Sequence, residues 1–164
     1  MDRPLLLGIE SSCDDTACAV VDGAGRVLAS VVSSQLEAHR PYGGVVPEIA
    51  SREHLTNLLP VLDETLARAG VALESLDAVA ATRGPGLVGS LLVGLSAARA
   101  LAWSRGLPFF AVHHLEGHLV SPYLSSSGAP AEPVPERFAG LVVSGGHTSL
   151  YEVTGAAVAT VAET

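Results

Sequence analysis

The chain opens on PLLLGIE (residues 4–10), TACAVVD (16–22) and RVLASVVS (26–33), three apolar segments that decide the fold. Each segment has the length and composition of a strand, and the turn Asp22-Gly23-Ala24-Gly25 separates the last two. Strands joined by such short links pair with their neighbours along the chain. The sequence therefore predicts an antiparallel three-stranded meander at the start of a sheet.

Alternating helices and strands follow this meander. The leucines of residues 48–69 recur at helical spacing, and Pro60 is expected to kink this helix or divide it in two. Further elements are predicted as follows: a strand over 76–82, a helix over 87–104, a strand over 107–112 and a helix over 113–124. This alternation indicates an α/β protein.

The opening pattern returns near the end of the chain, where residues 138–144, 148–154 and 157–162 read as three strands. A repeated meander suggests two related lobes. We expect a first lobe over 1–124, a linker or loop over 125–137, and the start of a second lobe over 138–164. A lone meander is a weak folding unit. The second lobe is therefore expected to be truncated or completed by another chain.

Composition restricts the possible functions. The net charge is -8, so an RNA substrate would need positive surface from a partner or from another segment. No signal peptide or membrane span is expected, because the longest charge-free run in the middle of the chain is short and contains glycine and proline. Cys13 and Cys18 are expected to be reduced, partly buried thiols of a cytosolic protein.

A histidine pair is the first candidate site. His114 and His118 are four residues apart, so on a helix their imidazoles project from one face and suit two ligands of one metal ion. The alternative is that both are ordinary helix residues. The position after His114 holds Leu115 rather than the glutamate of zinc peptidases, so a peptidase mechanism has no support.

Two polar loops are further candidates. Residues 10–16 (ESSCDDT) join the first two strands and can hold a phosphate or a bridged cation, or can simply form a turn with solvated acids. Residues 142–148 (VVSGGHT) occupy the equivalent place in the second meander, where a bare hairpin turn is the alternative. Matching hairpins that face each other would form a nucleotide clamp.

Five ordered motifs carry a resemblance to a known family. They are residues 8–16 (GIESSCDDT), 44–54 (GVVPEIASREH), 84–91 (GPGLVGSL), 113–118 (HHLEGH) and 143–148 (VSGGHT). Together they span almost the whole chain. In these motifs the sequence is similar to the universal tRNA N6-threonylcarbamoyladenosine transferase family, once described as O-sialoglycoprotein endopeptidases.

The resemblance implies the α/β fold of actin, Hsp70 and sugar kinases, which is ribonuclease H-like and has a mixed sheet with flanking helices. It implies transfer of threonylcarbamoyl from threonylcarbamoyl-adenylate to N6 of adenosine 37 in tRNAs that read codons beginning with A. Under it, His114 and His118 hold Fe²⁺ or Zn²⁺, and Asp14 and Asp15 line the reaction site. The nucleotide ligand (threonylcarbamoyl-adenylate, ATP or AMP) contacts Val142, Val143, Ser144, Gly145 and Gly146.

The family also implies a cytoplasmic protein that has no membrane contact and binds tRNA, a paralogous actin-fold subunit and a small P-loop ATPase subunit. Its third metal ligand is an aspartate far into the second lobe, beyond Thr164, so the 164-residue chain alone is expected to be inactive. There are three alternatives: a non-catalytic paralogous scaffold, the older metallopeptidase, and a sugar- or acetate-kinase-like phosphotransferase. The scaffold paralogue lacks the histidine pair that this chain has.

Overall fold

The computed structural model describes residues 3–126, 131–143 and 148–163, and it has an α/β architecture. Its eight strands in this described part form two separate sheets, one of five strands and one of three. Helices flank the larger sheet, which contains both parallel and antiparallel pairs. This confirms the predicted fold class.

The larger sheet is built from the first five strands. β1 (Leu5–Glu10), β2 (Asp15–Asp22) and β3 (Val27–Ser34) pair antiparallel in chain order, which confirms the predicted meander. β4 (Ala78–Gly84) lies parallel to β1, and β5 (Phe109–His113) lies parallel to β4. The resulting order is β3-β2-β1-β4-β5, so β1 lies in the middle of the sheet.

Four α-helices occur in the described part of the chain: α1 (Leu36–His39), α2 (Pro47–Ala69), α3 (Val88–Arg105) and α4 (His114–Val120). Gly70 and Gly106 end α2 and α3 with φ values of 64° and 65°, a conformation that favours glycine. The helix predicted over 113–124 is too long. It ends at Val120 and continues as a single 3₁₀ turn, Ser121–Tyr123, because Pro122 has no N–H for the ladder.

Helix α2 runs unbroken through Pro60, so of the two predicted outcomes, a kink or a division, division does not occur. Thr56, whose carbonyl loses its amide partner to the proline ring, and Pro60 itself are both exposed residues. Water can therefore hydrate that carbonyl without a break in the helix.

Helices α2 and α3 cover one face of the larger sheet. Side chains alternate along a strand, and Leu7 and Ile9 of β1 point into the core beneath these helices. The side chain of the next residue, Glu10, therefore projects from the opposite face, as does the side chain of Thr82. The polar side chains of the candidate site follow from this alternation.

The smaller sheet consists of β6 (Arg137–Val143), β7 (Thr148–Thr154) and β8 (Ala157–Glu163), which pair antiparallel in chain order. Its buried residues Tyr151 and Val153 pack with Leu115 and Leu119 of α4. The helix that carries the histidine pair is therefore anchored on this second sheet.

No helix in the described residues is long and apolar enough to cross a bilayer.

The turn between β2 and β3 depends on one buried carboxylate. Asp22 Oδ1 accepts the N–H groups of Ala24 (2.9 Å) and Arg26 (3.0 Å), and Oδ2 lies 3.1 Å from Arg26 Nη2 and 3.7 Å from Arg3 Nη1. The Arg26 N–H bond, with the Ala24 N–H and the two guanidinium charges, outweighs burial and holds the pKa of Asp22 below its ordinary value. The ionised form therefore stabilises the fold.

We expect Asp22→Asn to lower the free energy of unfolding at pH 7, because the amide keeps the turn but loses both ion pairs. A carboxylate with a lowered folded pKa contributes its stability above its unfolded pKa, near 4, and loses that stability as pH falls through the folded pKa. The difference between wild type and variant, measured by urea unfolding, should therefore shrink between pH 5 and pH 3. A constant difference over that range would contradict this origin.

Candidate functional site

The loop between β1 and β2 carries Asp14 and leads into Asp15, the first residue of β2. Residues at the start of α3 hold the backbone of this loop from one side. Ser12 O accepts the N–H of Leu87 at 2.8 Å, and Ser11 Oγ donates to Ser90 O at 2.8 Å. Both serines are buried. These bonds hold the loop in place at the carboxyl end of β1, the middle strand of the sheet.

His54 of α2 holds the same loop from the other side. It is 0% exposed, and its Nε2 donates to Cys13 O at 3.1 Å, since a carbonyl oxygen can only accept. Its Nδ1 is then the acceptor for the Thr16 hydroxyl at 2.7 Å. The sequence motif 44–54 contains His54, but its spacing alone does not show this contact.

These contacts leave the acidic residues at the surface. Asp14 is half-buried, Asp15 is exposed, and the Asp14 carbonyl accepts the N–H of Gln35 at 2.9 Å. Neither carboxylate has a salt bridge within the described residues. The two predicted catalytic acids are thus fixed through their backbone and remain open to a substrate.

Both cysteines are free thiols, as expected, although Cys13 is exposed and Cys18 is buried. Partial burial and the neighbouring carboxylates of Asp14, Asp15 and Glu10 raise the pKa of Cys13 to about 11. Burial raises the pKa of Cys18 to about 12. Both groups stay protonated at neutral pH, so neither is an activated nucleophile.

The imidazoles of His114 and His118 converge on α4, as their spacing predicts. Their Nε2 atoms are 3.2 Å apart, and the ring planes are nearly perpendicular, with centroids separated by 4.6 Å. His118 is exposed, and the side chain of His114 is 32% exposed. The two Nε2 atoms therefore face each other at the protein surface.

Glu10 lies behind this pair. Its Oε2 is 3.2 Å from His114 Nδ1 and accepts the Thr82 hydroxyl at 2.5 Å, and its Oε1 accepts the N–H of Ser12. Burial opposes ionisation, but the hydrogen bonds from Ser12, Thr82 and His114 hold the pKa of Glu10 below its ordinary value. A carboxylate therefore faces the ring nitrogen that points away from His118. The motif 8–16 contains Glu10, but its sequence does not show this contact.

The donor atoms of the pair fit a metal ion. Two nitrogens at about 2.1 Å from one ion lie about 3.0–3.4 Å apart for octahedral to tetrahedral angles. The observed 3.2 Å between the two Nε2 atoms falls in this range. Within the described residues, however, no group of three or more His, Cys, Asp or Glu side chains could hold a metal. A metal ion at this position would therefore need further ligands besides these two nitrogens.

A cavity of 460 Å³ extends from His118 along the second sheet. Leu119 and Tyr123 line one side and residues 138–143 of β6 line the other, so Val142 and Val143 share this cavity with His118. Val142 is half-buried and Val143 is exposed. The predicted ligand contacts Ser144, Gly145 and Gly146, together with His147, lie outside the described residues.

The strand order and the repeated meander define a protein of the actin-like class. Among solved structures, YeaZ from Pseudomonas aeruginosa is similar with a TM-score of 0.61 and 23% identity over 98% of this chain and 66% of that one. The Aquifex aeolicus PPX-GPPA enzyme is similar with a TM-score of 0.50 and 12% identity over 96% and 52%. These two likenesses concern the fold alone.

Within this class, residues 26–164 match the family model of TsaD, tRNA N6-adenosine threonylcarbamoyltransferase, and the chain belongs to that family. A relative of that name from Pelobacter propionicus is 59% identical over 92% of this chain and 43% of its own length. The relative from Sorangium cellulosum is 51% identical over 96% and 46%. The chain thus spans less than half the length of these curated relatives.

Proposed function

We propose that this chain supplies the first part of an active site that transfers threonylcarbamoyl from threonylcarbamoyl-adenylate to N6 of adenosine 37 in tRNA. The observation that carries the proposal is the position of the histidine pair. Its Nε2 atoms are 3.2 Å apart, and His118 lines the same cavity as Val142 and Val143. The remainder of the site is proposed for a protein of the relatives' length.

In this proposal each polar element has a separate task. Val142 to Gly146 contact the adenylate, or ATP or AMP in its place, along the cavity beside His118. As the N6–carbon bond forms and the carbon–oxygen bond to AMP breaks, Asp14 or Asp15 accepts the proton that leaves N6. Both carboxylates remain accessible on a fixed backbone, which suits this role.

Two ring nitrogens suit Fe²⁺ or Zn²⁺, and His114 and His118 would be the residues that hold it. Such an ion, when bound, supplies a Lewis acid for the carbamoyl carbonyl or its phosphate leaving group. The exposed ring of His118 lines the cavity, so an ion held there would be accessible from it. Helix α4 holds both rings in place, because its Leu115 and Leu119 are buried against the second sheet.

The histidine pair also favours the enzyme over the scaffold alternative. The relatives that carry the transferase name are 51–59% identical to this chain, whereas the YeaZ likeness at 23% concerns the fold alone.

For an enzyme of this kind we propose a cytoplasmic location. A paralogous actin-fold subunit and a P-loop ATPase subunit are proposed as partners, and because the chain has a net charge of -8, such partners must supply positive surface for tRNA.

The product of the complete reading frame, with the proposed partner subunits, should form threonylcarbamoyladenosine in tRNA. The double substitution of Asp14 and Asp15 by asparagine should lower kcat roughly 100-fold or more, because general base catalysis contributes about 10²–10⁴-fold. The measurement is mass spectrometry of nucleosides from digested tRNA after incubation with threonylcarbamoyl-adenylate.

Glu116→Gln provides the control, because it removes a carboxylate from the helix that carries the histidines but lies outside the proposed machinery. Metal content should be the same in the double variant and in wild type. Full activity of the double variant would remove the acids from the mechanism, and absence of product from the wild type would reject the proposed function.

A further inference from the structure

We infer that Glu10 is a positioning residue that fixes the tautomer of His114 and thereby turns its Nε2 lone pair toward His118. This inference extends the proposed function, because it concerns how the histidine pair is prepared for an ion. Neither the sequence motifs nor the family match gives Glu10 this role. The hydrogen bonds around these histidines carry the inference: Glu10 Oε2 lies 3.2 Å and Ser12 Oγ 3.4 Å from His114 Nδ1.

The first step concerns the carboxylate itself. Glu10 leaves the central strand on the face opposite the apolar core, and three groups donate to it or face it. The Ser12 N–H donates a hydrogen bond to Oε1, and the Thr82 hydroxyl donates one to Oε2 at 2.5 Å. The side chain is therefore held in one position 3.2 Å from His114 Nδ1.

The second step concerns the hydrogen on His114. Glu10 Oε2, at 3.2 Å the nearer of the two groups beside His114 Nδ1, only accepts as a carboxylate, so Nδ1 carries the hydrogen and donates it to Glu10. The Ser12 hydroxyl, whose Oγ is 3.4 Å from the same nitrogen, then cannot donate to it. In the neutral ring Nε2 is then bare. Because His114 Nε2 is 3.2 Å from His118 Nε2, it accepts the hydrogen of His118 in the absence of an ion. His118 must lose or relocate that one hydrogen when both nitrogens bind an ion.

The third step is energetic. Carboxylates that hydrogen-bond the distal nitrogen of a histidine ligand fix its ring and raise its basicity, and their loss costs about 10–100-fold in metal affinity. Glu10 cannot itself share an ion with the two Nε2 atoms, because it contacts the opposite nitrogen of the ring. Its contribution therefore passes through His114.

The substitution Glu10→Gln inverts this arrangement. The Ser12 N–H requires an acceptor, so the glutamine oxygen should take the position of Oε1 and its NH₂ group should face Thr82 and His114. His114 Nδ1 then becomes the acceptor, and the hydrogen moves to Nε2, where it blocks a ligand position. The variant keeps nearly the shape of the wild type.

Two readouts test the inference, NMR on the 164-residue chain and metal titration on the product of the complete reading frame. Long-range ¹H–¹⁵N NMR of the metal-free protein should place the His114 hydrogen on Nδ1 in wild type and on Nε2 in Glu10→Gln. Titration with Co²⁺ alone, followed by its visible absorption, should show a dissociation constant about 10–100-fold higher in the variant. Glu116→Gln, which removes one carboxylate charge from the helix that carries both histidines, should change the constant less than threefold.

Several results would overturn the inference. They are a wild-type His114 with its hydrogen on Nε2, a Glu10→Gln variant that keeps the Nδ1–H form and wild-type affinity, or an equal loss of affinity in Glu116→Gln. If Glu10→Gln fails to fold, the wild-type spectrum alone decides. If the wild-type product of the complete reading frame binds no Co²⁺, the metal part of the proposed function fails, while the tautomer measurement still decides the role of Glu10.

Discussion

Replacing His114 with alanine is expected to weaken divalent metal binding by more than about 100-fold, because loss of a direct ligand should exceed the loss of an outer carboxylate. The two Nε2 atoms converge at 3.2 Å, so each contributes half of the protein's described donor set. A single imidazole cannot chelate an ion. The dissociation constant for Zn²⁺, measured by competition with a chromophoric chelator on the product of the complete reading frame, gives the effect directly.

Three companion variants make this result specific. His118→Ala should produce a similar loss, and the double variant should be little worse than either single one, because one ligand alone retains little affinity. Glu116→Gln should bind as wild type does. Unchanged Zn²⁺ affinity in His114→Ala would show that the convergence of the rings has no role in metal binding.

The second large effect is expected for His54→Leu, which should lower the free energy of unfolding by about 2–4 kcal/mol, because it leaves the buried Thr16 hydroxyl and the part-buried Cys13 carbonyl without their partner. Thr16 and His54 are both 0% exposed, and the imidazole also holds Cys13 O at 3.1 Å. Leucine has similar bulk but neither a donor nor an acceptor. Urea unfolding followed by circular dichroism gives the difference.

Thr16→Val separates the hydrogen bond from the packing. Alone, it should cost about 1–2 kcal/mol, because it removes one partner of the 2.7 Å bond and leaves His54 Nδ1 unpaired. Added to His54→Leu it should cost much less, since the bond is already absent. Additive losses would mean that the buried pair contributes through packing alone.

Local pattern predicted most of the elements. Strand-length apolar segments around a glycine turn gave the β1–β3 meander, and leucine spacing gave α2. These signals are local because the periods of strands and helices act over a few residues. For the same reason, the convergence of His114 and His118 follows from their four-residue spacing once they lie on a helix.

The predictions departed from the structure where the surroundings of a proline decided the outcome. Pro60 stays within one helix because its side of α2 faces solvent, where water can satisfy the freed carbonyl. The helix after His113 is shorter than predicted because Pro122 interrupts the ladder. The sequence shows each proline but not its exposure or its neighbours.

The sequence by itself determined the order and type of the elements, the acidic loop and the one-turn spacing of the two imidazoles. Only the tertiary structure decided that β4 lies beside β1, which brings Thr82 to Glu10 across 72 residues and places Glu10 against His114 across 104. His54 reaches the acidic loop in the same way, across 41 residues. Periodicity reports which face of an element is apolar, whereas contacts between distant polar groups depend on strand order and on which sheet face each helix covers.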